Sequence, residues 1–507
     1  MSQNKYSYAL SNILSSILNK APEEFQREDL LNVIEQNQIE RITFHYTAID
    51  GRLKELKLPV TDRRRAERIL AEGERVDGSS LFSGMVETSL SDLYVVPEYR
   101  TAFFNPFDKG SLDFICRYLN KDGERADFVP DNILFNAAGL FRENAGLEIY
   151  ALGEIEFYLI SSRENELFQN SGEKKYHESS PFVKRGKVLT EILRHITQIT
   201  HAVKYAHSEG GYIDNIESEL DEINGKQAEQ MEVEFLPRPI EEMADALVIG
   251  RWLIRNIAYK HGCVATFAPK IEDGVAGNGF HFHLQLMKDN RNIMEGPDGR
   301  LSEPALRMVG GLCEYADALT AFGNTVASSY LRLVPNQEAP TKIFWSGLNR
   351  SALIRVPLAW SEVDNIAKKI NPQEEADSSN LKKTKTVELR SADGSALIHL
   401  LLAGVTMAAE WGFQDVRSIE LAEKLYVTGR ISSEDGVLDS FSPLPANCLE
   451  SSEILIKKRN LFERDGIFPP AVIDYIAELL KQEDFDIKNF SRLDEMRNIM
   501  HKDLHRH

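Results

Sequence analysis

The stretch Gly153-Glu154-Ile155-Glu156-Phe157 decides how this chain must fold. Alternate residues of a β-strand point to opposite faces. Glu154 and Glu156 therefore share one face, while Ile155 and Phe157 point away from it. Three further segments repeat the pattern: Met231-Glu232-Val233-Glu234, His281-Phe282-His283 and Glu388-Leu389-Arg390. Each joins an apolar face that reads as core to a face of carboxylates, imidazoles or a guanidinium. Glu154, Glu156, Glu232, His281 and Glu388 are mostly hard oxygen donors with one imidazole, a mixture that suits Mg²⁺ or Mn²⁺ better than zinc. Carboxylates gathered on one surface repel one another unless cations lie between them. Any one pair taken alone reads as the solvent face of an amphipathic strand. The four together make an enzyme the leading reading.

Size and composition bound the alternatives. The chain has 507 residues, enough for about two to four domains with sizeable cores. Lys plus Arg number 59 against 78 Asp plus Glu, a net charge of −19 that argues against a general nucleic-acid binder. It leaves room for anionic substrates, because local arginine clusters override the global field. Cys116, Cys263, Cys313 and Cys448 lie far apart and form no CxxC, so neither a disulfide framework nor a zinc ribbon is expected. No signal peptide is visible, and the apolar run from His399 to Phe413 carries Glu410 and is too short to span a bilayer. A reducing, cytoplasmic setting without membrane contact is expected.

Along the chain, Leu10, Ile13, Leu14, Ile17 and Leu18 predict a short amphipathic helix ending near Pro22. A strand-rich region follows from Ile39 to about Leu119. Pro130 to Asn144 reads as a helix opening a second domain. The polar stretch Ser161 to Lys187 reads as a long loop, of the kind that often carries function. A second polar, acidic stretch runs from Gly210 to Gln230. Helices are predicted over Ile240 to His261, Met308 to Phe322 and Leu397 to Glu410, with more from Leu421 onward. The basic end, His501 to His507, is expected to fray. The division is residues 1–30 as an N-terminal helix, 31–128 as a first domain, and 129–507 as a catalytic domain with a helical C-terminal region.

Arg332, Arg350, Arg355 and Arg390 lie close together in sequence, in otherwise apolar settings such as Tyr330-Leu-Arg332-Leu-Val and Leu353-Ile-Arg355-Val. A buried guanidinium needs an anionic partner and offers carboxylate or phosphate paired donors. Ordinary structural ion pairing accounts for any one of them equally well. Gly277 and Gly279, just before His281, could let backbone approach a ligand. The segment is neither a Walker A loop nor a dinucleotide fingerprint. Asp77-Gly-Ser-Ser80 reads as a turn whose default explanation is local hydrogen bonding.

Taken together, these pieces resemble glutamine synthetase, most closely its bacterial type I form. The resemblance runs from about Ile42 to about Leu480. In order it comprises Val76-Asp-Gly-Ser-Ser80, Ser91-Asp92, Gly153-Glu-Ile-Glu-Phe157, Glu232, Gly277-Asn-Gly-Phe-His-Phe-His283, Tyr330-Leu-Arg-Leu-Val-Pro-Asn-Gln-Glu-Ala-Pro340, Asn349-Arg-Ser-Ala-Leu-Ile-Arg355 and Glu388-Leu-Arg390. The resemblance implies an α+β protein with an N-terminal β-grasp-like domain and a catalytic α/β domain built on a curved antiparallel sheet. It implies active sites between neighbouring subunits of a ring-shaped homo-oligomer, a dodecamer. One metal would be held by Glu156, Glu232 and a third glutamate, the other by Glu154, His281 and Glu388. Arg332 would clamp the carboxylate of L-glutamate beside the Gly277 backbone. Arg350, Arg355 and Arg390 would face phosphates, and His283 and Lys383 would contact ATP. Asp77 of a neighbouring subunit would bind ammonium and take its proton, and Glu338 would lie on a closing flap. ATP would phosphorylate the γ-carboxylate, and ammonia would displace the phosphate.

Departures from the family pattern are also legible. The third ligand of the first metal is assigned to Glu209, in His207-Ser-Glu209, with Glu219 and Glu222 as rivals. Ala276 replaces an asparagine, Gln285 a serine and Thr386 an arginine of the usual pattern. No adenylylation-site sequence is obvious around Leu425-Tyr426. The leading reading is a glutamate–ammonia ligase. A γ-glutamylamine ligase using a polyamine or another amine, and a catalytically weak regulatory homologue, are the alternatives.

Overall fold

A computed structural model describes residues 6, 8–85, 92–163, 172, 176–334, 339–347, 349–359, 366–375, 384–428, 437–483 and 493–506. Glu338 and Lys383 lie outside the described residues.

The first sheet contains β1 (Arg41–Thr47), β2 (Leu53–Pro59), β3 (Glu74–Asp77), β4 (Asp92–Pro97), β5 (Phe103–Phe104) and β6 (Ser111–Leu119). Its order is β2-β1-β6-β4-β3, with β5 against β6. Strands β1 and β6 are parallel, and their other neighbours are antiparallel. Ile42, Phe44, Leu112 and Phe114 are buried, as are Ala66, Ile69 and Leu70 of the helix Arg63–Glu72. A mixed sheet with one connecting helix is the β-grasp-like arrangement expected of this region.

The second sheet is larger. Its members are β7 (Glu148–Ser161), β8 (Val203–Ile213), β9 (Gln227–Phe235), β10 (Arg238–Pro239), β11 (Val264–Thr266), β12 (Phe280–Lys288), β13 (Arg291–Asn292), β14 (Trp345–Gly347), β15 (Ile354–Val356), β16 (Val387–Leu389) and β17 (Tyr426–Val427). The order is β17-β14-β15-β16-β12-β7-β9-β8. All pairings from β15 to β8 along this path are antiparallel. Ile155, Phe157, Val233, Phe282 and Leu389 are buried on its apolar face. Burial of each such side chain contributes about 1.5–3 kcal/mol.

Helices close that face. Ile240–Lys260 lies so near β7 that a Cβ on Gly153 would meet Leu247 Cδ2 at 2.7 Å. Ile398–Gln414 packs against Glu303–Gly323 and Pro130–Ala145. None of the helices among the described residues is long and apolar enough to cross a membrane. The four cysteines are buried and form no disulfide.

An ion network joins the two sheets' territories. Arg117 of β6 donates to Asp245 on Ile240–Lys260 at 3.0 Å and to Asp131 at 3.2 Å. His399 meets the same Asp245 at 3.4 Å. The Asp245 carboxyl stays well below the ordinary range: burial opposes ionisation, and Arg117 and His399 outweigh it.

Two expectations about the chain ends change. The N-terminal helix is shorter, Ile13–Leu18, and buries Leu14 while Ile13 and Ile17 stay exposed. Residues 493–506 are docked, not frayed. Helix Leu493–Lys502 leads into a buried Leu504, and Thr266 Oγ1 donates to the Leu504 carbonyl at 2.9 Å. His501 meets the Ile271 carbonyl at 2.9 Å, and Arg52 donates to the His505 carbonyl at 2.9 Å. Apolar residues between the basic ones supply the anchorage that a charge count hides.

Gly311 allows a close helix–helix approach behind the sheet, because a Cβ there would stand 1.9 Å from the Ala408 carbonyl oxygen. Gly311→Ala is expected to lower stability by about 1–3 kcal/mol or more, read as a lower Tm by calorimetry. An unchanged Tm would mean that the two helices separate freely.

Candidate active site

The registers of the second sheet assemble an acidic cup. His281 of β12 stands opposite Glu154 of β7, and His283 opposite Glu388 of β16. Glu156 of β7 faces Glu232 of β9, Glu154 faces Glu234, and His207 of β8 faces Glu232. Arg355 of β15 completes the row opposite Glu388. Side chains directly opposite across strands have Cβ atoms about 4.5–5.5 Å apart. The sheet therefore collects these groups from six separate stretches of chain onto one face.

One expected ligand grouping comes together: Glu154, His281 and Glu388 offer ligand atoms within 4.8 Å of one another. Glu209 and Glu232 group in the same way with His207, in the place expected for Glu156. A third grouping, Glu154, Glu232 and Glu234, shares the cup. Glu222 instead meets His505 at the exposed surface at 2.7 Å, and Glu219 is exposed.

Imidazoles and guanidinia temper the negative charge. His281 Nδ1 lies 2.9 Å from Glu154 Oε2, and His283 Nε2 lies 2.8 Å from Glu154 Oε1. Arg355 donates to Glu388 at 2.8 Å, and Arg390 pairs with the other Glu388 oxygen. Arg332, buried, donates to the Ser391 carbonyl at 3.0 Å and reaches His281 Nε2 at 3.4 Å. Burial opposes ionisation of Glu154, but His283 and His281 hold its carboxyl well below the usual range. Glu388 is lowered in the same way, burial being outweighed by His283, Arg390 and His281. His283 is raised: burial opposes its charge, and Glu154 more than compensates.

Glu232 meets one imidazole, His207 Nε2 at 3.7 Å, which does not offset its surroundings. Burial and the carboxylates of Glu154, Glu156 and Glu209 push its carboxyl up to about 10. A carboxyl held neutral by surrounding carboxylates is the signature expected where cations belong between them. The donor set, carboxylate oxygens with one imidazole in each of the first two groupings, fits hard divalent cations.

Arg350 is exposed at the turn before β15. Gly277 sits beside Arg332, whose Cγ would be 3.2 Å from a Cβ there. Gly279 leaves the cup open, since a Cβ would meet His281 Nε2 at 2.8 Å and Glu156 Oε1 at 3.0 Å. Asp77 caps the short helix Gly78–Leu81, accepting from Ser79 Oγ and Ser80 Oγ at 2.7 Å each. These hydrogen bonds, Ser80 first and then Ser79, hold its carboxyl down to about 2. It is exposed on β3, the edge strand of the first sheet, while the cup is built on the second.

Sequence reasoning missed several participants. His207 joins Glu209 and Glu232, and its signal was the same i, i+2 spacing used for the other pairs. Glu234 accepts from Lys204 at 2.6 Å. Thr386 meets His283 Nδ1 at 3.1 Å, and Gln230 donates to Glu156 at 3.4 Å. No local pattern marks a neutral amide as part of an acidic site.

An acidic cup edged by guanidinia defines a metal-dependent enzyme that handles anionic substrates. The family model for the glutamine synthetase catalytic domain matches residues 130–498, and that for the glutamine synthetase β-grasp domain matches residues 38–121. The chain belongs to the glutamine synthetase family. It is 31% identical to the glutamine synthetase of Pyrococcus horikoshii over 385 residues, covering 75% of this chain and 76% of that one. It is 27% identical to that of Methylococcus capsulatus over 485 residues, covering 90% and 95%. The Plasmodium falciparum glutamine synthetase structure superposes with a TM-score of 0.69 at 20% identity, covering 90% and 96%. The GmaS/ADP complex gives 0.71 at 20% identity, covering 92% and 98%. The larger-amine alternative is not favoured by these relatives.

Glu232 yields a pH test. In the unfolded chain its carboxyl ionises near 4.5, and in the fold near 10. Between those values the cation-free fold holds a proton that the unfolded chain has released. Its stabilising effect is full below the lower value and is lost as pH rises toward the upper one. Cation-free protein is therefore expected to lose Tm from about pH 5 to about pH 9. Glu232→Gln, locked in the neutral form, is expected to flatten that fall and to diminish the Tm gain on adding Mg²⁺. An unchanged slope in the variant would remove Glu232 as the cause.

Proposed function

We propose that this protein is a glutamate–ammonia ligase that uses ATP and divalent cations to make glutamine. The observation that carries the reading is the cross-strand register that seats Glu154, Glu156, Glu232, His281 and Glu388 on one face with Arg355 and Arg390 against it. In this reading Glu156, Glu232 and Glu209 hold one Mg²⁺ or Mn²⁺. Glu154, His281 and Glu388 hold another. Cations bound there would neutralise phosphate charge during phosphoryl transfer.

The chain's own groups carry the remaining roles. Arg332 binds a carboxylate of L-glutamate, with the Gly277 backbone beside it. Arg350, Arg355 and Arg390 face the phosphates, where planar donors match oxygen pairs. Arg355 and Arg390 hold Glu388 until an anion arrives and then share their donors with it. His283 and Lys383 contact the nucleotide. The γ-carboxylate oxygen attacks the γ-phosphorus, and ADP leaves. Ammonium has no lone pair, so a carboxylate must first take a proton. Asp77, ionised through its serine hydrogen bonds, takes that role from a neighbouring subunit. The resulting ammonia attacks the acyl carbon, phosphate leaves with the C–O bonding pair, and the nitrogen sheds its extra proton to that phosphate. Glu338 closes the site, since water would otherwise consume the acyl phosphate.

Three further points belong to the same proposal. The protein is of the bacterial type I kind and forms a ring-shaped homo-oligomer, a dodecamer. The exposed Asp77, on the edge of a sheet other than the one that forms the cup, supports a site shared between copies. The N-terminal helix, β-grasp-like and catalytic regions divide at residues 30 and 128, and the enzyme works in the cytoplasm.

The test is ADP release by purified protein with Mg²⁺, ATP and L-glutamate, with ammonium added last and the product weighed by mass spectrometry. Ammonium-dependent ADP with glutamine formed supports the reading; ADP formed only with putrescine or ethanolamine overturns the choice of acceptor. Glu388→Ala is expected to cut turnover by at least about 100-fold. Near-normal turnover would remove Glu388 from the ligand set. Asp77→Ala is expected to raise the KM for ammonium while ATP affinity stays within about twofold. Equal loss of both would assign Asp77 a folding role.

A further inference from the structure

Strand β8 leaves its ladder opposite a single residue. Pairing runs through Ser208 and Met231 and resumes at Tyr212 and Glu229. Glu209, Gly210 and Gly211 therefore stand against Gln230. Such a bulge re-aims a side chain. Here it turns Glu209 toward His207 and Glu232.

The Gln230 side chain holds this irregularity and more. It is buried, with 1% of its surface exposed. Its Oε1 accepts from the Gly211 N–H at 3.0 Å. Its Nε2 donates to the Gly277 carbonyl at 3.0 Å, Asn278 Oδ1 at 3.2 Å and Glu156 Oε2 at 3.4 Å. Two N–H groups thus serve three acceptors, so moving one acceptor shifts the bonds to the others. A Cβ at Gly211 would stand 2.5 Å from Gln230 Oε1, so glycine is what lets the bulge close on the amide. Tyr158, directly opposite Gln230 on β7, donates to the Ala276 carbonyl at 2.7 Å and steadies the same loop.

We propose that Gln230 is a positioning residue that ties the acidic cup to the 276–278 loop. Through Oε1 it fixes the bulge that carries Glu209. Through Nε2 it fixes Glu156 and the direction of the Gly277 carbonyl. The inference rests on the proposed cation roles of Glu156 and Glu209 and the proposed glutamate role of Gly277. Only a planar amide offers an acceptor and donors in this arrangement. A carboxylate would keep the Gly211 bond, give no proton to Gly277 and add charge beside Glu156. A thioether would give neither. Gln230 touches no reacting atom and acts by orientation. Its consequence is that cation affinity and glutamate affinity are linked.

The test uses the full-length protein carrying Gln230→Met, close to glutamine in size. Mn²⁺ binding is titrated by electron paramagnetic resonance without nucleotide, and KM values are measured separately for glutamate and ATP. Mn²⁺ affinity is expected to fall about 10- to 100-fold and the KM for glutamate to rise by a similar factor, with the KM for ATP within about twofold. Wild-type Mn²⁺ affinity and glutamate KM in the folded variant would overturn the proposal, as would equal rises in both KM values. Gln230→Glu decides the matter if the Met variant does not fold. It is expected to raise the KM for glutamate without losing Mn²⁺, and an unchanged KM would overturn the proposal. If wild-type protein binds Mn²⁺ but makes no glutamine, the proposed function fails, while the Mn²⁺ comparison still judges Gln230.

Discussion

The structure depends on holding carboxylates closer together than they would choose to be. Glu154, Glu156, Glu232 and Glu234 come from two adjacent strands and face one another across them. Like charges directly opposite in a sheet are destabilising. The opposing force is the apolar reverse of the same strands, where Ile155, Phe157 and Val233 are buried. A one-residue slip of β9 would send its acids into that core and its core residues outward. The register that crowds the acids is therefore also the one that buries the greasy face. Charge repulsion at the front is sustained by burial at the back.

The repulsion is only partly relieved within the chain. Two imidazoles serve Glu154, and two guanidinia serve Glu388. Glu232 is left to stay neutral, at the expense of the charge that would make it a strong cation ligand. A cation between the acids would ionise Glu232 and loosen the hold of the arginines on Glu388. Filling the cup and freeing the guanidinia are then one electrostatic event.

The N-terminal region bears on this site indirectly. Its sheet is moored to the helix behind β7 by Arg117 and Asp245, with His45 packed 5.2 Å from Trp252 between ring centres. Breaking one partner of so buried a pair would leave an uncompensated charge. The mooring fixes where β3 and Asp77 project. It thus connects the orientation of the first sheet to any site that a neighbouring copy completes.

The alternation in Glu154-Ile-Glu156 and His281-Phe-His283 determined which residues face the front and which face the core, because strand periodicity is a local property. The same residue types determined that hard cations suit the site. Arg332, Arg355 and Arg390 were legible as buried cations in need of partners. Which carboxylate each guanidinium meets was decided by the tertiary structure. Glu388 receives both Arg355 and Arg390 because β15 pairs with β16. Gln230 and Tyr158 carried no local mark, since a neutral amide and a phenol acquire meaning only through partners distant in sequence. The bulge that singles out Glu209 over Glu219 and Glu222 as the neighbour of Glu232 is likewise a product of strand pairing. Local pattern sets the direction of a side chain, whereas register and packing set what it meets.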